Sequence, residues 1–247
     1  MNFNISSTSL LSYIMALSLN KYGIDKISVR KQNLKSYGRY YSLNYFGKKF
    51  LEHIEIWGHM ESKSIVPYNT IEIYKKDIKT LSFCAKDINI DYLGYIINED
   101  NLINSVTKKI KANKNFNFIL EKNYSDNLSN CVNIISDYKD VSPEIQSNNY
   151  TSKTYNQTAI NINITHSKSN NNVPRQIFFN NEILGFLPVN ENCYNLIWSM
   201  PNNLFEKMSS EDMNEYKTLV EERANFILGE IQEMTIGESF PLSARHA

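Results

Sequence analysis

The opening residues alternate between element types in a way that restricts the fold. Apolar residues recur at helical spacing from Leu10 to Leu17, and Gly23 suits the left-handed backbone that ends many helices. Residues 24–30 then have the composition of a short strand. Together with the residues before the helix, this order predicts a βαβ unit whose first turn lies near residues 6–9. Dinucleotides bind at turns of this kind.

Further along, the period of the apolar residues predicts helices and strands in a mixed α/β order. The predicted elements are a helix over 42–56, a hairpin of strands 70–74 and 80–85, a strand over 93–97, a helix over 99–110, strands over 160–164, 175–180, 184–189 and 194–199, and a last helix over about 211–231. The polar segment 146–156 lacks a period and is predicted to cross between domains. Ile160, Ile162 and Ile164 share one face of their strand, which lies either in the sheet core or against an aromatic substrate.

Charge and cysteine usage exclude several classes of function. Lysine plus arginine (26) equals aspartate plus glutamate (26), so no nucleic-acid partner is predicted. Cys84, Cys131 and Cys193 are far apart and form no CxxC pair, which favours a reducing compartment over a disulfide framework. His53 and His59 do not have the spacing of metal ligands on one helical face, so no metal site is predicted. We expect a cytoplasmic protein, with peripheral membrane contact left open.

Short motifs are spread along the whole chain. They are Gly38-Arg39-Tyr40-Tyr41-Ser42-Leu43, Leu93-Gly94-Tyr95-Ile96-Ile97-Asn98-Glu99, Tyr155-Asn156-Gln157-Thr158-Ala159-Ile160, Phe178-Phe179, Ile183-Leu184-Gly185-Phe186-Leu187-Pro188-Val189, Leu196-Ile197-Trp198-Ser199-Met200-Pro201 and Ser239-Phe240-Pro241-Leu242. In sequence and order these motifs resemble those of the FAD-dependent ring hydroxylases of ubiquinone biosynthesis, which are flavin monooxygenases like para-hydroxybenzoate hydroxylase.

The resemblance implies a fold and a chemistry. Family members bind FAD in a Rossmann-like domain, reduce it with NAD(P)H and transfer an oxygen atom to the ring of a polyprenylated phenol. The implied architecture is α/β with mixed α+β character: an incomplete Rossmann-like FAD-binding domain with an inserted antiparallel β-sheet substrate domain. The FAD-binding part would comprise residues 1–68 and 91–148, the substrate part 69–90 and 149–210. Residues 211–247 would return as a helix and a strand to the first domain.

The cofactor contacts implied by the resemblance are altered. The glycines of the family's G-x-G-x-x-G fall on Ser7, Ser9 and Ser12, whose side chains obstruct the turn but carry hydroxyls able to donate to phosphate. An ordinary turn that binds nothing is the alternative. Arg39 keeps the family's arginine near the pyrophosphate, or else forms a surface ion pair. Asn98 corresponds to a residue that faces the flavin, or else is a polar residue ending a strand.

Other expected cofactor elements change or fall outside the chain. The acid that holds the ribose hydroxyls corresponds to Arg30, which cannot accept hydrogen bonds. The Asp-Gly of a second motif falls near Asp137 without its glycine. The third motif lies beyond Ala247, so the chain is identified as a degenerate and C-terminally truncated member.

Two functions therefore stay open, and no catalytic residue is assigned. The first is a ring monooxygenase, with a protein partner supplying or covering the missing flavin region. The second is a catalytically silent relative, serving as a binding or assembly subunit or remaining from a split or decaying gene.

Overall fold

A computed structural model describes residues 2–7, 9–31, 33–119, 131–136, 151–209 and 213–246. Within them the chain forms three sheets with helices packed against them, the mixed α/β class that the sequence predicts. The order of elements runs from a parallel sheet to a large, mostly antiparallel sheet.

The N-terminal unit is a four-stranded parallel sheet in the order β8-β2-β1-β9. Its strands are β1 (Asn2–Ile5), β2 (Ile27–Arg30), β8 (Phe116–Ile119) and β9 (Cys131–Ile134). Helix α1 (Leu10–Lys21) joins β1 to β2, which are parallel neighbours, so the predicted βαβ opening is confirmed. Gly23 has a φ of +84° just after α1, the left-handed conformation expected at a helix end.

A small antiparallel sheet in the order β3-β7-β4 adjoins this unit. It comprises β3 (Tyr40–Asn44), β4 (Ile65–Tyr68) and β7 (Gly94–Asn98), and is followed by helix α3 (Glu99–Ala112). The predicted helix over 42–56 is wrong at both ends, because residues 42–44 pair with β7 and helix α2 covers only Tyr45–His53. Asn44 sets the start, since its side chain accepts a hydrogen bond from the Gly47 amide at 2.8 Å.

The third sheet has seven strands in the order β14-β10-β13-β12-β11-β5-β6. They are β5 (Thr70–Lys75), β6 (Ile78–Cys84), β10 (Thr151–His166), β11 (Arg175–Phe179), β12 (Glu182–Asn190), β13 (Cys193–Pro201) and β14 (Ile231–His246). The predicted hairpin and later strands are confirmed. The predicted crossing over 146–156 is wrong for residues 151–156, which belong to β10; a bulge between Thr154 and Thr158 admits Asn156 at a φ of +53°.

Helices α4 (Asn202–Ser209) and α5 (Met213–Leu228) cover one face of the large sheet. The fully buried Ile160, Ile162 and Ile164 face these helices, so that stripe is sheet core rather than the wall of a substrate pocket. A buried polar contact fixes α5: Glu182 accepts hydrogen bonds from Trp198 Nε1 at 2.9 Å and from Arg223 Nε at 2.9 Å.

Residues 213–246 supply α5 and β14, and the predicted return of 211–247 to the first domain stays a prediction. α5 packs in the core of the large sheet, and β14 pairs with β10 along its length. The strand nevertheless passes close to the N-terminal unit, where Glu238 lies 3.7 Å from Lys35 and the Phe240 ring lies 5.5 Å from the Arg39 guanidinium. Because the backbone of β14 pairs with β10 over most of its length, we describe β14 as part of the large sheet.

His166 makes the stability of the large sheet sensitive to acid. The imidazole is fully buried, stacks on Tyr194 at 5.0 Å, and neither ring nitrogen makes a well-formed hydrogen bond to the described residues. Burial lowers its pKa below the ordinary 6.5, and the nearby backbone of Lys168 and Leu228 only partly opposes this.

The unfolded chain therefore binds a proton that the folded chain excludes. Stability from the neutral ring is fully present above about pH 6.5 and is lost as the pH falls towards the lower folded pKa. We expect the urea midpoint of unfolding to fall less between pH 7 and pH 5 in His166→Phe than in the unsubstituted chain. Identical pH profiles for the two proteins would contradict this assignment.

Among the described residues, no helix has the length and apolar character needed to cross a bilayer.

Candidate functional site

A cleft with a volume of about 820 Å³ opens where the N-terminal unit meets β14. Its lining comes from the first turn of α1 (Ser9, Leu10, Leu11), the segment before and within β3 (Asn33, Leu34, Lys35, Tyr37, Arg39, Tyr41), α3 (Glu99, Ile103) and β14 (Glu238, Phe240). The volume falls within the range of about 300–1,000 Å³ usual for small-molecule and cofactor pockets. The cleft lies beside the carboxyl ends of the parallel strands, where open α/β sheets bind ligands.

The N-terminus of α1 provides an electropositive environment for a ligand at one end of the cleft. Ser9 is the N-cap residue in an extended conformation, its side chain makes no capping hydrogen bond, and the first turn contains no acidic residue. The first amides of a helix lack partners within the helix, and the helix dipole adds partial positive charge there. This end of the cleft therefore favours an anionic group such as a phosphate.

The three serines of the predicted phosphate turn form a cluster with Ser136. The Ser12 hydroxyl donates to the Ser7 carbonyl oxygen at 2.8 Å and lies 2.8 Å from the Ser136 hydroxyl. The Ser136 amide donates to Ser7 Oγ at 2.7 Å, and Ser9 Oγ lies 3.1 Å from Ser136 Oγ. β1 and β9 are parallel neighbours, so the residues following each strand meet at one sheet edge.

Within this cluster only Ser9 borders the cleft. Ser7 and Ser12 are fully buried, and their hydroxyls contact Ser136 and, for Ser12, the Ser7 carbonyl oxygen. Where glycine would leave room for a phosphate beside the backbone, the serine side chains form a small hydrogen-bonded network. A role for Ser7, Ser9 and Ser12 in binding a cofactor stays a prediction.

Arg39 lines the cleft and is held by Glu99. The guanidinium donates to Glu99 Oε1 from Nη2 at 2.6 Å and from Nε at 3.0 Å. Tyr41 donates its hydroxyl to the same oxygen at 2.5 Å, and the Tyr37 amide donates to Oε2 at 2.7 Å. The Glu99 side chain is only 3% exposed and that of Arg39 is 32% exposed, so the arginine retains an open side towards the cleft.

These contacts keep Glu99 ionised. Burial alone would raise the pKa of Glu99, but the hydrogen bonds from Arg39, Tyr41 and the Tyr37 amide outweigh it and lower the pKa to about 2. Burial and the bond to Glu99 raise the pKa of Tyr41, so the phenol stays protonated. Glu99 therefore positions Arg39 and does not serve as a general base near neutral pH.

The opposite wall of the cleft comes from β14. Glu238 pairs with Lys35 at 3.7 Å, and the Phe240 ring stacks against Arg39. Both of these cleft cations thus face a carboxylate, and the arginine also lies between the rings of Tyr37 and Phe240. An anionic ligand would have to compete with Glu99 and Glu238 for them.

The other predicted contacts lie outside the cleft lining. Asn98 caps α3, its side chain accepting from the Asn101 amide at 3.1 Å, which is the polar strand-end role left open by the sequence. Arg30 ends β2 and points to the β1–α1 turn, with Nη1 3.4 Å from the Ser6 carbonyl oxygen. Asp137, near which the second motif falls, lies outside the described residues.

Sequence reasoning missed Glu99, Tyr41, Glu238 and Phe240 as cleft residues. Two of them had a local signal: Glu99 follows a buried strand directly, and Tyr41 stands two residues after the motif arginine. The alternating direction of side chains along β3 places Tyr41 beside Arg39. Phe240 belongs to a motif and Glu238 precedes it, but their place in the cleft depends on where β14 pairs.

The cleft fits part of an FAD molecule. The α1 amides, the Ser9 hydroxyl and the open side of Arg39 suit a pyrophosphate, and Phe240 provides an aromatic surface. The position at the end of β2 does not suit the ribose diol, because Arg30 has donors only.

The fold matches those of several solved oxygenases, although the sequences are distant. A four-substitution variant of PqsL from Pseudomonas aeruginosa superposes with a TM-score of 0.72 at 11% identity, over 96% of this chain and 73% of that one. A variant of 2-methyl-3-hydroxypyridine-5-carboxylic acid oxygenase gives 0.70 at 11% identity over 99% and 70%. The p-nitrophenol 4-monooxygenase PnpA from Pseudomonas putida gives 0.71 at 9% identity over 99% and 68%.

Sequence comparison alone finds less. No protein-family model and no curated protein matches the chain. The chain spans about two thirds to three quarters of the length of the solved structures that it resembles. One of these, PqsL, is described as a probable FAD-dependent monooxygenase. The chain has the fold of these oxygenases, in which a Rossmann-like unit is joined to a large β-sheet.

Proposed function

We propose that this chain is an FAD-dependent aromatic-ring monooxygenase of the kind that acts in ubiquinone biosynthesis. The observation that carries the proposal is the position of the α1 N-terminus, which has no acidic residue in its first turn and opens with Arg39 onto the large cleft. The fold match to oxygenases named for aromatic substrates, such as p-nitrophenol 4-monooxygenase, supports the reaction class.

In this proposal the chain's residues hold and orient the cofactor. The amides of the first α1 turn and Ser9 would bind the pyrophosphate, while Glu99 holds Arg39 towards it. FAD, reduced by NAD(P)H, would supply the oxygen-transfer chemistry, and a polyprenylated phenol would be the substrate. The Rossmann-like part would comprise 1–68 and 91–148, the substrate part 69–90 and 149–210, with α5 and β14 added to the latter.

A second function, a catalytically silent relative, is favoured by a different observation. Ser7, Ser12 and Ser136 bond to one another, and both Arg39 and Lys35 already face carboxylates. In that case the chain would serve as a binding or assembly subunit beside an active hydroxylase. A partner polypeptide would then cover the cleft.

Titration with FAD distinguishes the two functions. We expect FAD fluorescence to be quenched stoichiometrically by the purified chain. Leu11→Glu should weaken binding at least about tenfold, because a carboxylate in the first turn of α1 repels the pyrophosphate. The same carboxylate is favourable for the helix itself, so folding should be retained.

Leu81→Glu is the matched control. Leu11 is 51% exposed and Leu81 is 47% exposed, but Leu81 lies on the edge strand β6 and not in the cleft lining. FAD affinity of this variant should be unchanged. Two results would reject the cofactor site: no quenching of FAD fluorescence by the unsubstituted chain at high FAD, or an equal loss of FAD affinity in Leu11→Glu and Leu81→Glu. Either result would favour the catalytically silent subunit.

A further inference from the structure

Helix α2 presents aromatic side chains to solvent. Phe46 is 78% exposed and Tyr22, just after α1, is 73% exposed, while Tyr45 and Phe50 are also exposed. Phe46 and Phe50 are four residues apart and therefore lie on one side of the helix. Large aromatic groups are seldom left in water without a partner, so this surface needs an explanation.

These four side chains form one surface, which we call the α2 aromatic patch: Tyr22, Tyr45, Phe46 and Phe50. Tyr45 and Phe46 are in edge contact with ring centroids 5.7 Å apart. Tyr22 lies 5.5 Å from the ring of His53, the last residue of α2, so the end of α1 extends the patch. The buried side of α2 carries Leu51, which anchors the helix to the core.

The surroundings of the patch are positively charged. Glu52 pairs with both Lys48 and Lys49 at 3.1 Å, and Glu55 pairs with Lys21 at 2.7 Å and with Lys109 at 2.6 Å. Each carboxylate is thus shared by two lysines, which leaves two positive charges in excess. The chain as a whole has no net charge, so this excess is a local feature.

The excess persists at neutral pH. Hydrogen bonds from Lys109 and Lys21 lower the pKa of Glu55 to about 2, and those from Lys49 and Lys48 lower the pKa of Glu52. The two carboxylates therefore stay ionised near pH 7. Lys49 lies over the ring of Tyr45 within the patch, whereas Lys48 lies over Trp57 and Tyr95 outside it.

We propose that the α2 aromatic patch and its lysines bind the surface of an anionic lipid bilayer. Aromatic side chains favour the interfacial region of a bilayer, and lysines next to them are attracted to anionic headgroups. Three of the four aromatic side chains stand exposed on the single helix α2, so they can enter a headgroup layer together. The inference does not depend on FAD binding, and it would bring the cleft near a membrane-dissolved substrate.

Vesicle binding without added flavin tests the proposal. The full chain is mixed with phosphatidylcholine vesicles, with or without phosphatidylglycerol, and the bound fraction is measured by flotation. We expect binding to the vesicles that contain phosphatidylglycerol, weakening as salt is added. The double variant Phe46→Ser with Phe50→Ser should lower the partition coefficient at least about tenfold, since two phenylalanine rings no longer enter the interface.

Matched variants distinguish vesicle binding through the α2 aromatic patch from nonspecific apolar adsorption. Phe83→Ser with Phe178→Ser removes two other exposed phenylalanines from the seven-stranded sheet and should leave partitioning unchanged. Lys21→Gln with Lys49→Gln should reduce binding and flatten its dependence on salt. Circular dichroism spectra matching that of the unsubstituted chain would show that each variant is folded.

Three outcomes overturn the proposal. One is no binding of the unsubstituted chain to phosphatidylglycerol vesicles. Another is an equal loss in the two phenylalanine pairs, which would indicate nonspecific apolar adsorption. The third is unchanged partitioning together with a fall in molar mass by light scattering when Phe46 and Phe50 are replaced, which would assign the patch to contact between copies of the chain.

Discussion

Replacing Glu182 with alanine should lower the free energy of unfolding by about 3 to 5 kcal/mol, the usual cost of removing one partner from a buried ion pair. Glu182 and Arg223 have side chains that are 7% and 9% exposed. Without the carboxylate, the guanidinium and Trp198 Nε1 lose their acceptor inside the core between β12, β13 and α5. Urea unfolding followed by circular dichroism measures the effect.

Two controls make this result specific to the buried carboxylate. Glu222 also accepts from Arg223, at 3.2 Å, but is 60% exposed, so Glu222→Gln should change stability by no more than about 1 kcal/mol. The double variant Glu182→Met with Arg223→Met should be less destabilised than Glu182→Ala, because no unpaired charge remains buried. A loss in Glu222→Gln as large as that in Glu182→Ala would refute this account of how α5 is held.

Replacing Glu99 with glutamine should cost about 2 to 3 kcal/mol, somewhat less than a fully buried pair because Arg39 is one third exposed. The amide cannot accept the hydrogen bonds of Arg39, Tyr41 and the Tyr37 amide as a carboxylate does. The loss should be accompanied by weaker FAD binding if Arg39 contacts the pyrophosphate, because the arginine is no longer held in place.

The pH dependence provides an independent readout for Glu99. Its folded pKa of about 2 lies below the ordinary 4.5, so its contribution is fully present above about pH 4.5 and is lost as the pH falls towards 2. Acid should therefore destabilise the unsubstituted chain more steeply than Glu99→Gln over that interval. Glu61, an exposed residue that pairs with Lys63, is the control carboxylate. Parallel acid curves for the unsubstituted chain and Glu99→Gln would count against the assignment.

Much of the fold follows from short-range pattern in the sequence. The apolar spacing from Leu10 and the position of Gly23 indicate α1, and alternation indicates strands of the large sheet such as β12. The same reasoning fails where a polar run forms a strand. Residues 151–156 are exposed, yet β10 includes them because the backbone of β14 pairs with residues 151–154, an interaction that no local property indicates.

The cleft is less accessible to sequence reasoning, since its parts come from distant segments. Ser9, Arg39 and Phe240 all fall in motifs, but the arrival of Phe240 at the cleft depends on the register of β14. Ser136 precedes Asp137, near which the second motif falls, but its bonds to Ser7 and Ser12 depend on β9 lying beside β1. Such contacts require the sheet order, which neither composition nor periodicity specifies.

The serine cluster also affects when the turn between β1 and α1 reaches its final shape. A glycine turn follows from local backbone preference, but the hydrogen bond between Ser12 and Ser136 joins residues 124 positions apart. Closing so long a loop is slow and is completed only after β9 has docked. This turn should therefore order late in folding, and its amides should exchange with solvent at the rate at which β9 detaches. A ligand bound at this turn would lower the rate at which β9 detaches and so slow the opening of the parallel sheet.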